Sequence, residues 1–142
     1  MQQHQTYGGE VKDQRSIGQA MWRGFLGKCP HCGSGKLFHR FLKVADNCEA
    51  CSEDYHHHRA DDLPAYLVVV IVGHVVLGGF MGTERMLGLS SWGHLAIWVP
   101  ITLISCLALL QPVKGSVVGL QWAARMHGFS GTPEVLETHP ER

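Results

Sequence analysis

The sequence predicts a mainly α-helical membrane protein with a small four-cysteine head, on three observations. Residues 65–81 and 92–110 form two apolar runs without a single Lys, Arg, Asp or Glu. Ahead of them stand two Cys-x-x-Cys pairs, Cys29-Pro30-His31-Cys32 and Cys48-Glu49-Ala50-Cys51, separated by fifteen residues. After them, residues 114–129 carry apolar side chains at helical spacing. The 142 residues leave room for one small domain plus appendages. Twelve Lys+Arg balance twelve Asp+Glu, so the basic footprint of a nucleic-acid-binding protein is absent. The charge is segregated: residues 1–62 hold eight of the 12 basic and eight of the 12 acidic side chains.

Residues 1–19 read as a flexible N-terminus, polar over 1–14 and without the apolar core of a cleaved signal peptide. Overlapping its end, Ser16 to Leu26 places Ile17, Ala20, Met21 and Phe25 at helical spacing among Arg15, Arg23 and Lys28. That pattern predicts a short helix lying on a membrane surface. Residues 20–62 form the head, a zinc-ribbon-like module. Two Cys-x-x-Cys turns can aim four thiolates at one tetrahedral centre, which is what structural zinc demands. Two rivals stay open: a Cys-Pro-His-Cys redox site and a rubredoxin-like iron. The redox chemistry needs a helix N-terminus within a thioredoxin-like βαβ unit, and no such unit fits here. Zn²⁺ with four thiolates carries a formal charge of about −2, which Lys28, Lys36, Arg40 and Lys43 can offset. His56-His57-His58 reads as a solvated linker, since adjacent side chains diverge and make an awkward three-ligand site.

The first span, about 64–83, is roughly 20 residues or 30 Å of helix, the thickness of a bilayer core. Pro64 suits its first turn, and Asp61-Asp62 complement its dipole. The second span, about 92–110, opens on an interfacial-type Trp92 and contains Pro100, which predicts a kink. A short loop over 84–91 makes the two helices an antiparallel hairpin, completing a 63–111 membrane unit. A soluble helical hairpin is excluded by size, because the rest of the chain cannot bury two fully apolar helices. Lys and Arg concentrate before the first span, with Arg85 alone in the loop, so both termini are expected in the cytoplasm. A thiolate metal site also belongs in a reducing compartment. Residues 112–129 predict an interfacial amphipathic helix or a packing surface for a partner: Val118, Trp122, Met126 and Phe129 make one stripe, with Val117, Leu120 and Ala124 beside it. Residues 130–142 read as a flexible tail.

Polar residues inside the spans are costly and mark candidate sites. His74 falls mid-span, with a cross-helix hydrogen bond to Thr102 or Ser105 as its structural role. Glu84 and His94 come to similar depth near the loop, where they can pair, so His74, Glu84 and His94 form a candidate intramembrane polar site for a metal or proton. Gly78 and Gly82 have the spacing that lets another helix approach closely. Cys106 is an apolar filler. No nucleophile–base pair, phosphate-cradling loop or catalytic carboxylate pair stands out, so the sequence predicts that the chain is not an enzyme.

The string CPHCGSGKLFHRFLKVADNCEAC, then ADDLPAY, Gly73-His74, Glu84, Trp92-Gly93-His94 and LLQPVKGSVVGLQWAARMHGF resembles a bacterial family of two-span membrane proteins known as domain of unknown function 983. The likeness extends over roughly residues 20–130, with one departure: Ser52 stands after the second Cys pair where the family usually has Gly. The resemblance implies a zinc-binding protein of the bacterial inner membrane without established catalysis. Genes of this family often lie beside those for cytochrome c oxidase subunits and assembly factors. The reading that follows is a non-catalytic accessory or assembly factor of a respiratory membrane complex such as cytochrome c oxidase. Its partners are the lipid bilayer and other membrane-protein subunits, with no nucleic acid and no identified small-molecule substrate. The alternative is a membrane metal-handling or thiol-redox protein using His74, Glu84, His94 or the Cys pairs.

Overall fold

Ser16 starts the first helix as its N-cap, the hydroxyl accepting from the Gln19 N–H at 3.4 Å. The computed structural model describes residues 15–60 and 62–130. Its elements run α1 (Ile17–Phe25), β1 (Phe38–Arg40), β2 (Lys43–Val44), α2 (Leu63–Leu87) and α3 (Ser91–Ala123). Residues 15–19, expected to be flexible, are thus held by a capped helix. Most of that expected N-terminus, and the expected tail beyond Ser130, lie outside the described residues, as does Asp61.

α2 and α3 are long and apolar enough to cross a membrane. Pro64 sits in the first turn of α2, and Gly88, with φ 53°, ends the helix in the left-handed conformation. Ser90 then caps α3 by accepting from the Gly93 N–H at 3.3 Å. The connection is therefore shorter than the expected 84–91 loop: Glu84 and Arg85 belong to α2. Charge ended the apolar run in the sequence, yet Glu-Arg-Met-Leu is good helix-forming chemistry.

The larger correction concerns residues 112–129. They do not form a separate interfacial helix; α3 continues without interruption through Pro100 and Pro112 to Ala123. Its 33 residues make a rod of about 50 Å at the usual rise. An internal proline costs about 3 kcal/mol, and the last three turns recover it through packing. Most of the stripe predicted for a membrane or a partner is covered by the chain's own head, while Ala124 and Met126 stay exposed. Val117 and Val118 join Cys29, Leu37, Phe38, Val44, Cys48, Tyr55 and Ala60 in one buried core, with Leu67 of α2 against its edge. Trp122, Ala123 and Phe129 close a second core with Ala20 of α1.

α1 likewise does more than lie on a surface. It crosses α3 at van der Waals distance between backbones: a Cβ on Gly24 would overlap the Gly115 carbonyl, one on Gly115 the Gly24 carbonyl, and one on Gly119 the Ala20 carbonyl. Ser116 Oγ donates to the Met21 carbonyl at 3.2 Å in the same crossing. Trp22 remains outside, stacked on Phe25 at 5.6 Å.

Between α1 and α2 the chain builds a small irregular β unit. β1 and β2 pair antiparallel, Phe38 opposite Val44, with a register break before Arg40. Two isolated bridges, Lys28 with Lys36 and Asn47 with Asp54, close the loops that carry the cysteines.

Candidate metal centre

Each Cys pair sits in a loop built to the same plan. The first is closed by Cys29 N–H donating to the Gly35 carbonyl at 2.8 Å, the second by Cys48 N–H donating to the Glu53 carbonyl at 2.9 Å. Inside them, Gly33 N–H returns to the Cys29 carbonyl and Ser52 N–H to the Cys48 carbonyl, both at 2.9 Å. Backbone N–H groups two and three residues on face each first sulfur: His31 and Cys32 at Cys29, Ala50 and Cys51 at Cys48. The N–H one residue on has no part in this, which is why Pro30 is tolerated next to Cys29. The turn residue after each pair takes the left-handed conformation, φ 73° at Gly33 and 59° at Ser52.

The two loops bring all four sulfurs within 4.8 Å of one another. Cys29 Sγ lies 3.7 Å from Cys51 Sγ, and Cys32 Sγ 3.7 Å from Cys48 Sγ. A disulfide needs about 2.05 Å, and all four thiols are free. The contacts run between loops, so neither pair is complete without the other. Four Cys in this arrangement can hold one metal ion.

The electrostatics divide the thiols. At Cys29, burial raises the pKa above its ordinary 9.0. At Cys51, burial and the neighbouring sulfurs overcome the Glu53 N–H and push it up to about 12. Backbone N–H groups of Gly35 and Ser34 lower Cys32. Burial also opposes ionisation at Cys48, but N–H groups of Cys51 and Ala50 and the Tyr55 hydroxyl outweigh it and bring the thiol to about 6. Tyr55 is fully buried, its hydroxyl faces Cys29 and Cys48, and it finds no oxygen or nitrogen partner. Burial together with these sulfurs raises its own pKa far above 10.0. A phenol held there has a proton to give only to sulfur, which suits thiolates gathered around a cation.

Side chains that spacing alone did not reveal fix the centre in place. Arg23 of α1 donates to the Pro30 and His31 carbonyls at 3.2 and 2.8 Å, bracing the first loop. Glu53 of the second loop accepts from Trp122 Nε1 at 2.9 Å and meets His31 Nδ1 at 3.3 Å. Gln121 donates to the Arg59 carbonyl and accepts the Arg59 N–H, at 2.9 and 3.1 Å, as a strand neighbour would. Lys114 Nζ donates to the Leu42 carbonyl at 2.9 Å. A Cβ on Gly35 would overlap Cys48 Sγ, so that glycine is part of the metal site's shape.

Ser52 yields a direct prediction. A non-glycine residue in the left-handed region costs about 1 kcal/mol or more, and Gly33 shows the unstrained form of the same turn. Ser52→Gly is expected to stabilise the metal-loaded head by about 0.5–1 kcal/mol, read as a rise in its denaturation midpoint. A drop would mean that the Ser52 side chain stabilises the turn.

The other predicted site residues are only partly brought together. His74 points away from α3: it is exposed, and its Nδ1 meets the Val70 carbonyl of its own helix at 2.7 Å. Thr102, proposed as its partner, instead donates to the Trp98 carbonyl at 2.7 Å. Glu84 and His94 do share one cavity at the loop end of the hairpin. Gly78 and Gly82 leave open space, and the close approach of α2 to α3 is made at Gly79, where a Cβ would overlap the Trp98 ring. His56, His57 and His58 also separate: His58 Nδ1 meets the Tyr55 carbonyl at 2.6 Å, while the His57 ring packs edge-on against Phe129 at 5.9 Å.

The sequence model of a family described as "Protein of unknown function (DUF983)" matches residues 38–122. That stretch holds the second Cys pair, α2 and α3 as far as Trp122. No curated protein and no solved structure matches the chain.

Proposed function

This chain belongs to the DUF983 family of proteins of unknown function, and from that premise we propose that it is a membrane-anchored zinc protein with a non-catalytic, accessory or assembly role. One observation carries the reading. The four sulfurs close on one another, and four thiolates on a tetrahedral ion would leave no coordination position for water or substrate. A metal there shapes the head and does not expose a reactive face. Zinc is the ion proposed because four thiolates closing on one tetrahedral centre are its usual structural ligand set, and the two 3.7 Å sulfur contacts are compatible with the edge of about 3.8 Å that a Zn–S bond of about 2.3 Å gives. Bound Zn²⁺ would be held by Cys29, Cys32, Cys48 and Cys51 and would supply folding energy to the loops between them.

α2 and α3 would insert as a hairpin, since Leu77, Leu103, Ile104 and Leu107 expose apolar side chains that no other described residue covers. At 25 residues, α2 spans a bilayer core of about 30 Å with some tilt. The Lys and Arg bias supports a topology with both termini on the cytoplasmic side of a bacterial inner membrane. The partner complex is of the respiratory type, cytochrome c oxidase foremost, supported by the gene neighbourhood that the family resemblance implies. Affinity purification from gently solubilised membranes of the native host is expected to retain oxidase subunits. Normal oxidase assembly and cofactor content in a strain lacking the chain would overturn this role.

The zinc assignment has its own test. Cys29 is raised above 9.0 and Cys51 stands at about 12, whereas Cys48 is at about 6. Between pH 6 and 9 at least two protons must therefore leave when the ion binds. Affinity rises with pH across this window, by about 100-fold per unit, and falls as the solution is acidified. Chelator competition at two pH values measures the slope; a flat profile would be inconsistent with four thiolate ligands. The metal-handling alternative gains little at His74, which the structure leaves away from Glu84 and His94.

A further inference from the structure

His94 is the buried polar group that the fold leaves unexplained. It is 6 % exposed, and neither ring nitrogen has a hydrogen-bond partner. It borders a cavity of about 460 Å³ between the loop ends of α2 and α3, lined also by Phe80, Glu84, Ser91, Leu95 and Trp98. An imidazole stripped of water and unpartnered loses the worth of the hydrogen bonds it could make. The walls, by contrast, are set. Trp98 Nε1 donates to Thr83 Oγ1 at 3.3 Å, Thr83 Oγ1 donates to the Phe80 carbonyl at 3.0 Å, and the Phe80 ring lies 4.9 Å from the His94 ring.

The lining selects among occupants. A metal ion is too small for this volume and would find His94, Glu84 and one hydroxyl among apolar side chains. A phosphate-bearing headgroup would meet the Glu84 carboxylate and no lining Lys or Arg. A sugar would lack partners for most of its hydroxyls. What fits aromatic walls with one buried donor–acceptor pair is a flat, uncharged ring bearing carbonyl or hydroxyl groups. Neutral imidazole offers one N–H and one lone pair, so it donates to a carbonyl or accepts from a hydroxyl.

We propose that this cavity binds the headgroup of a membrane-soluble quinone or quinol, anchored at its ring oxygen by His94 and flanked by Phe80 and Trp98. The proposal rests on the reading of α2 and α3 as a membrane hairpin, because such a ligand arrives through the bilayer.

The test uses the full chain in lipid nanodiscs with decyl-ubiquinone as the probe, titrated calorimetrically in its oxidised form. Saturable binding of about one quinone per chain is expected. His94→Leu should weaken it about tenfold, in line with one lost hydrogen bond in a dry site, and His94→Gln should restore part of the loss. Leu89→Trp, at the cavity mouth, should block binding without touching the anchor. Metal content and resistance to alkaline extraction from membranes are measured for each variant. Wild-type protein that resists extraction and holds its metal, yet shows no saturable binding, overturns the proposal. So does wild-type affinity in both His94→Leu and Leu89→Trp. Extraction of the wild-type chain at alkaline pH would instead overturn the membrane reading on which the proposal stands.

Discussion

Replacing Cys48 by Ser is expected to empty the metal site and unfold the head while leaving the two long helices in place. Cys48 is buried, packs beside Gly35 and sits in the core that Val117 and Val118 complete. The loss of one thiolate from a closed four-sulfur site removes most of its affinity. Structural zinc contributes an apparent 10–16 kcal/mol in small domains, roughly the whole stability of a unit this size. Metal content should fall from about one ion per chain to less than about a tenth. Limited proteolysis should then cut between Lys28 and Ala60, a segment expected to resist cleavage in the wild type. Retention of that resistance in metal-free protein would mean that packing on α3 alone holds the head. Gly35→Ala should give the same phenotype without removing any ligand, because the added methyl group takes the space of Cys48 Sγ.

The second large effect lies in the helix crossing. Gly115→Val is expected to detach α1 from α3, at a cost of about 3 kcal/mol, because the contact it enters is backbone on backbone and has no rotamer to yield. The Gly24 carbonyl occupies the place of the new Cβ. Losing the crossing also withdraws Arg23 from the Pro30 and His31 carbonyls, so the first Cys loop should become more accessible to alkylation. Gly18→Ala on the same α1 provides the contrast: nothing lies within 4 Å of its added methyl, and helix propensity should make it stabilising by up to about 1 kcal/mol. Thiol labelling of Cys32 across the three proteins separates the two cases. Equal labelling of Gly115→Val and wild type would show that α1 does not brace the site.

The four-sulfur cluster was legible because coordination needs particular atoms at particular spacings, and Cys29, Cys32, Cys48 and Cys51 carry that requirement openly. The two apolar helices were legible for a similar reason: a bilayer-length stretch without charge has few other uses. Orientation was not. His74 lies two residues beyond Val72, whose burial marks the face of α2 turned inward, and two helical steps of about 100° each turn a side chain away from such a face. That face is selected by Gly79 and Trp98, a contact between distant residues with no local signature. The continuity of α3 past Pro112 was hidden for the opposite reason. Locally that proline argues for a helix end, but Gly115, Val117, Val118, Gln121 and Trp122 are held by the head and keep the helix going. Tyr55 and Arg23 were invisible as site residues because an aromatic after a Cys pair and a cation on a short helix are ordinary in sequence. Only the fold turns Tyr55 toward the sulfurs and Arg23 toward the carbonyls of the first Cys loop.

The sharing of one core between residues 29–60 and Val117–Val118 has a consequence for biogenesis. The ribosome delivers the cysteine loops first, the two apolar helices next and the covering turns of α3 last. The head cannot finish folding when its own residues emerge, because the surface it closes on has not yet been made. Synthesis of both long helices therefore comes before completion of the head, and the loops must wait as open thiols until α3 returns to meet them. A chain cut short before Val117 would leave those thiols without their cover, so the head's finished state reports that α3 has been made through its last turns.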